Sequence, residues 1–176
     1  MNNPVCRTIN PGWSEFASRP LFVEYRPGSA DEEVLDHSFD RDIYFGMSSK
    51  SVDGSSALKL DTVGFAGYVP SWKHVILDIG AHIGTFAMTA GLLAPGGRVF
   101  AFEPNKESFD ILRRNLAVNG FSNVTPLREA VTGRNRDHQV PLWCSSANWS
   151  HSITQTWPGG RSETVFATTL ERLLDV

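Results

Sequence analysis

The sequence predicts an α/β fold in which a parallel, Rossmann-like sheet carries helices on both faces. Three observations predict it. Two short apolar runs, Val75-Ile76-Leu77 and Val99-Phe100-Ala101-Phe102, have the character of strands buried on both faces. Each run stops at a carboxylate, Asp78 or Glu103, and is followed by a turn and then a helix-compatible segment. A third run, Val124–Val131, follows the second helix. The order strand, helix, strand, helix, strand implies parallel pairing through right-handed crossovers.

Residues 1–70 read as an approach segment, rich in Pro, Gly, Ser and aromatics and weakly periodic, and residues 71–176 as the Rossmann-like domain. Ala30–Phe39 reads as a short helix. Asp31, Glu32 and Glu33 fill its first turn, where the helix dipole favours acids, and Val34, Leu35 and Phe39 share a face. Ser48–Ser56 is polar around Gly54 and reads as a loop, and Leu58–Val63 alternates like a strand.

After the strand at Val75, Gly80–Gly84 supplies a turn, and Thr85–Leu93 is an apolar helix ended by Pro95-Gly96-Gly97. After the strand at Val99, Lys106–Val118 is an amphipathic helix with Phe109, Leu112 and Leu116 on one face and Arg113 and Arg114 elsewhere. Asn119-Gly120 closes it as a C-cap pair. Beyond Gly133 the pattern weakens. Gln139–Cys144 reads as a strand in a hairpin, Trp157-Pro158-Gly159-Gly160 as a turn, and Glu163–Ala167 as an alternating strand. Thr169–Leu174 opens a helix with Thr168 or Thr169 as its N-cap.

The chemistry gathers at the carboxyl ends of the strands. In Asp78-Ile79-Gly80-Ala81-His82-Ile83-Gly84 the two glycines permit a tight turn and close backbone approach to a ligand. Glu103 lies 19 positions after Gly84, close to the spacing of a carboxylate that accepts hydrogen bonds from ribose hydroxyls. A plainer role for Glu103 is to cap the helix that begins near Asn105. Glu129-Ala130, at the end of the third strand, falls on the same sheet edge and is placed to reach an adenine amino group, unless Glu129 is a solvated strand end. His82 occupies the place of the second glycine of a dinucleotide G-x-G-x-x-G. A bulky residue there is awkward for a pyrophosphate but acceptable beside a methionine tail.

Composition bounds the rest. Of 176 residues, 41% are hydrophobic and 20% charged, as in one soluble domain. The net charge of −3 and pI near 5.9 come without a basic stripe, so a nucleic-acid partner is not expected. No apolar run reaches the roughly 18 residues of a membrane span, and no basic segment followed by an apolar one opens the chain. A cytoplasmic location is therefore expected, with Cys6 and Cys144 as free thiols. Asn148-Trp149-Ser150 matches a glycosylation acceptor, which that location leaves unused. The five histidines stand in no ligand spacing, so no metal is expected.

Three stretches, Val75–Phe86, Val99–Pro104 and the helix end Asn115-Leu116 to Asn119-Gly120, closely resemble the FkbM-type methyltransferases. Tyr25-Arg26-Pro27-Gly28 with Asp31, and Asp42-Ile43-Tyr44, are similar to that family's N-terminal approach. Thr168–Leu174 is similar to the segment before its next core strand. The resemblance runs from about Tyr25 to Leu174 and is most specific from Asp78 to Pro104. It implies a class I methyltransferase fold that uses S-adenosylmethionine, with small-molecule hydroxyl groups as common acceptors. The expected cofactor-binding residues are Asp78, Gly80, Ala81, His82, Gly84, Glu103, Pro104, Glu129 and Ala130, and His82 departs from the asparagine often found at its position.

The expected activity is O-methylation of a small molecule. Tyr44, His82 and His151 are titratable candidates for a base that no motif singles out. Only 98 residues follow Asp78, and the family's later core strands are not among them, so an incomplete sheet with a bare edge open to self-association is expected. Two other readings compete. One is a truncated, non-catalytic remnant that binds nucleoside weakly or only a partner chain, and the weaker one is a nicotinamide-dependent oxidoreductase.

Overall fold

The computed structural model describes residues 3–10, 19–38, 72–133, 138–145, 151–156 and 160–174. The polar loop at Ser48–Ser56, the strand expected at Leu58–Val63, Tyr44, and Asn148–Ser150 lie outside the described residues, as does most of the turn at 157–160.

Strands β1 (Val5–Ile9) and β2 (Leu21–Tyr25) pair antiparallel, with Val5 opposite Tyr25 and Ile9 opposite Leu21. The weak periodicity of the N-terminal segment did not announce this pair. Helix α1 (Ala30–Ser38) begins at the expected residue with its acidic first turn.

Strand β3 (Val75–Ile79), helix α2 (Thr85–Leu93), strand β4 (Arg98–Phe102), helix α3 (Lys106–Val118) and strand β5 (Val124–Leu127) follow. The three strands form a parallel sheet in the order β3-β4-β5, so the fold is α/β with a partial Rossmann-like arrangement. Ile79 lies opposite Phe102, and Phe102 opposite Leu127, which brings the carboxyl ends of all three strands to one edge. Among the described residues β3 has a partner on one side only, and Val75 and Ile79 are 65% and 55% exposed.

Helix α2 is apolar almost all round and is buried from Thr85 to Leu92 except at Phe86, as expected of a helix covered on several sides. Helix α3 buries Ile111, Leu112 and Leu116 and closes as expected. Gly120, at φ +65°, is in the left-handed conformation, and the N–H of Phe121 bonds back to the Leu116 carbonyl. Leu21, Val23, Tyr25 and Leu35 join the β3–β4–β5 side chains in one core, so the N-terminal segment packs directly on the domain.

The third predicted strand is not continuous. Pairing with β4 ends at Leu127, and after Arg128-Glu129 the chain re-enters a second sheet as β6 (Ala130–Thr132). That sheet has the order β6-β8-β7, with β7 (Gln139–Cys144) antiparallel to β8 (Arg161–Thr169) and β6 parallel to it. An unbroken apolar pattern cannot report which strand each residue pairs with, and here the partner changes at the break. Strand β8 is longer than the expected Glu163–Ala167. It runs into α4 (Leu170–Leu174), where the Thr169 hydroxyl accepts the Arg172 N–H and so acts as the N-cap. Val140, Leu142, Cys144 and Val165 make a second, smaller core.

Candidate functional site

The turn after β3 is built from left-handed residues: Gly80 at φ +83°, His82 at +52° and Gly84 at +91°. The N–H groups of Gly80 and Ala81 both donate to the Phe102 carbonyl at 2.9 Å, which fastens the turn to the end of β4. A side chain at Gly80 would meet nothing within 4 Å, so glycine serves there for its φ alone. Gly84 is different. It is the N-cap of α2, and a Cβ there would collide with the Leu112 side chain of α3. Its absent side chain lets α2 start against α3, whereas the sequence had suggested close packing against the strand.

Two carboxylates meet the turn from below. Glu103 is 5% exposed, and its Oε2 accepts the His82 N–H while its Oε1 accepts the Asn105 N–H, both at 2.8 Å. It is not the helix cap. Asn105 fills that place, its side chain accepting the Ser108 N–H at 3.1 Å. Each Glu103 oxygen has one occupied direction and keeps a further lone pair for a ligand hydroxyl. Burial pushes the Glu103 carboxyl above its ordinary range, and the two N–H groups hold it back.

Asp78 is also buried, and its Oδ2 has no hydrogen-bond partner among the described residues. Burial first, and the neighbouring Glu103 charge second, push its carboxyl up to about 7. Two desolvated acids side by side make a site that a positively charged ligand relieves.

A crevice of about 720 Å³ opens over these groups at the carboxyl ends of the strands. Asp78, Gly80, Ala81, His82, Glu103, Pro104, Glu129 and Ala130 all line it, and Gly84 sits behind the turn, outside the lining. Glu129 reaches it because the chain breaks between β5 and β6 at that point. Phe86, Leu142 and Ile153 add apolar surface to the lining, which also includes His151. Burial pushes the His151 imidazole below its usual range, and the nearby His82 and Arg26 add to the effect, so at neutral pH it is uncharged.

Sequence reasoning missed the brace behind the turn. Arg26 donates from Nε and from its backbone N–H to Asp31 Oδ2, and from Nη2 to Asp31 Oδ1, at 2.7–2.9 Å. His82 Nε2 lies 3.0 Å from the same Asp31 Oδ1, so the ring points at α1 and is not a solvated loop histidine. Arg26 stood out only by resemblance and Asp31 only as a first-turn acid or by resemblance, because nothing local connects a residue at 31 to one at 82.

The profile of the methyltransferase FkbM domain matches residues 78–171, which spans the turn, both carboxylates and the second sheet. The chain belongs to the FkbM methyltransferase family. Among curated proteins, a release factor glutamine methyltransferase of Chlorobaculum tepidum is 29% identical over 114 residues, covering 63% of this chain and 32% of that protein. The chain thus spans about a third of that relative's length. Among solved structures, a precorrin-6y C5,15-methyltransferase of Geobacter metallireducens is 36% identical with a TM-score of 0.31, over 31% of this chain and 29% of the other. An S-adenosylmethionine-dependent methyltransferase of Aquifex aeolicus is 18% identical with a TM-score of 0.34, over 38% of this chain and 36% of the other. FkbM membership therefore rests on the profile match, and the site residues on the geometry of the crevice.

Proposed function

We propose that this FkbM-family chain holds S-adenosylmethionine in the crevice at the ends of β3, β4 and β5 and transfers its methyl group to the hydroxyl oxygen of a small molecule. The observation that carries the reading is the convergence of the Gly80–His82 turn and the Glu103 carboxylate on one crevice. Glu103, held by two backbone N–H groups, accepts the ribose hydroxyls. The turn admits the methionine portion beside Asp78, whose carboxylate offsets the ligand's positive charge, and the break at Glu129-Ala130 borders the adenine. The residues present fit the cofactor: an unpartnered buried oxygen on Asp78 and free lone pairs on Glu103 are the groups a cationic nucleoside satisfies.

The sulfonium supplies an activated methyl group, so the chain's own task is alignment of donor and acceptor and exclusion of water. The apolar lining residues Phe86, Leu142 and Ile153 favour the second. His151, uncharged and in the crevice lining, is the described residue assigned to take a proton from an acceptor hydroxyl.

Calorimetry with S-adenosylmethionine and S-adenosylhomocysteine tests the cofactor assignment, and the expected result is saturable binding of both. A folded protein that binds neither at millimolar ligand refutes it. Labelled methyl transfer to a panel of hydroxylated and amine-bearing small molecules tests the acceptor, with alkali-stable ethers expected. Label found only on nitrogen refutes the oxygen assignment while sparing the cofactor.

A further inference from the structure

We infer that Asp31, on the first turn of α1, is a positioning residue for the crevice: its carboxylate holds the His82 ring and so keeps the turn in the conformation that presents the His82 N–H to Glu103. The inference rests on reading the crevice as the adenosyl site.

His82 is, among the described residues, the non-glycine residue with a positive φ, at +52°. An ordinary side chain in that region costs about 1–2 kcal/mol and stays there only when its surroundings hold it. Two contacts hold His82. Its N–H donates to Glu103 at 2.8 Å, and its ring Nε2 lies 3.0 Å from Asp31 Oδ1, with 14% of the His82 side chain and none of the Asp31 side chain exposed. The first contact is made by the backbone and is available to any residue. The second depends on this side chain and on a carboxylate fixed 51 positions earlier.

Asp31 is itself fixed. Arg26 grips both its oxygens, and Arg26 Nη2 also donates to Ser108 Oγ at 3.0 Å, in the first turn of α3. Glu107, 3.6 Å from Arg26 Nη1, completes the anchor. A continuous line of contacts thus runs from the helix behind Glu103, through Arg26 and Asp31, back to the turn above Glu103. The N-terminal segment, which contributes little to the crevice lining, is in this way part of the site. The competing explanation is that Asp31 is only the counterion of buried Arg26 and acts on the fold as a whole.

Amide hydrogen exchange and S-adenosylhomocysteine titration on the full chain separate the two. Asp31→Ala is expected to speed exchange of the His82 amide by about tenfold and weaken S-adenosylhomocysteine by about tenfold. Exchange at Leu112 and Leu116 stays as in the parent. His82→Ala weakens the ligand similarly, and the double variant loses no more than the worse single, because both remove one linkage. An unchanged His82 amide in Asp31→Ala overturns the proposal, as does a double variant whose loss is the product of the singles, about a hundredfold.

Should Asp31→Ala fail to fold because Arg26 is orphaned, His82→Phe leaves both members of the Arg26–Asp31 pair in place and removes the two ring nitrogens while keeping an aromatic ring. It is expected to show the same faster exchange at position 82, and parent-like exchange there overturns the proposal. A parent protein that binds no S-adenosylhomocysteine, with the exchange effect present, sinks the adenosyl reading and leaves Asp31 as the holder of the turn.

Discussion

The backbone N–H of His82 donates to the Glu103 carboxylate at 2.8 Å, tying the turn after β3 to the tip of β4. The contact spans 21 positions and joins the two most informative motifs of the chain into one wall of a crevice. It sets the orientation of the carboxylate before any ligand arrives, so little ordering remains to be done on binding.

Replacing Glu103 therefore has two consequences. Glu103→Gln keeps the shape but loses the charge and one accepting oxygen. It should weaken S-adenosylhomocysteine by about 10- to 100-fold, the worth of one to two charge-assisted hydrogen bonds. Calorimetry reads this directly, and an affinity within twofold of the parent would remove Glu103 from the ribose role.

Asp78 makes stability depend on pH. Its carboxyl is pushed from an ordinary 3.8 up to about 7, so between these values the folded protein keeps a proton that the unfolded chain has released. Stability from this group thus falls as pH rises from about 4 to about 7 and levels off above. Asp78→Asn removes the burden and should raise stability at pH 8 by up to roughly 3 kcal/mol, with no difference at pH 4. Urea melts at the two pH values check it. In the parent, binding of the cationic S-adenosylmethionine should tighten through the same window.

Gly84→Ala combines a left-handed φ of +91° with a collision against Leu112 and should destabilise by about 2–4 kcal/mol. Adding Leu112→Ala should not restore the parent, since it relieves only the collision and leaves a cavity of its own. Denaturant midpoints of the three variants show whether the strain or the collision dominates.

Asn115 on α3 and Asn119 at its C-cap, one turn apart, act as a surrogate strand for β2. Asn119 Oδ1 and Nδ2 take the N–H and carbonyl of Phe22, and the Asn115 amide does the same for Glu24 while also donating to the Ile83 carbonyl. Asn115→Leu leaves these backbone groups unpaired in a part-buried place and should cost about 2–3 kcal/mol. The Glu24 amide, otherwise protected, should then exchange faster than the neighbouring Val23 amide.

How much of this was legible in the sequence varies with the element. Helices α2 and α3 match their expected limits, because their apolar faces, the Pro95-Gly96-Gly97 stop and the Asn119-Gly120 cap are local signals. The break at Arg128-Glu129 was not legible, since β5 and β6 carry one apolar pattern and differ only in the strand each one meets. The β1–β2 pair was missed for a related reason: β1 is largely exposed, and in β2 the apolar Phe22 sits on the exposed face, which hides the alternation of buried Leu21, Val23 and Tyr25. Asn115 and Asn119 read as part of a helix end, and their role as backbone partners of β2 has no local mark.

The sequence by itself determined the parallel βαβαβ order, the glycine turn and the two strand-end acids, because each follows from residue types a few positions apart. Only the tertiary structure decided that Gly84 faces a helix, that His82 turns to Asp31, and that Asp78 is buried with its Oδ2 unpartnered among the described residues. Those facts depend on which distant surfaces meet. Burial and contact across tens of positions are properties of packing, and packing is not written in any local pattern.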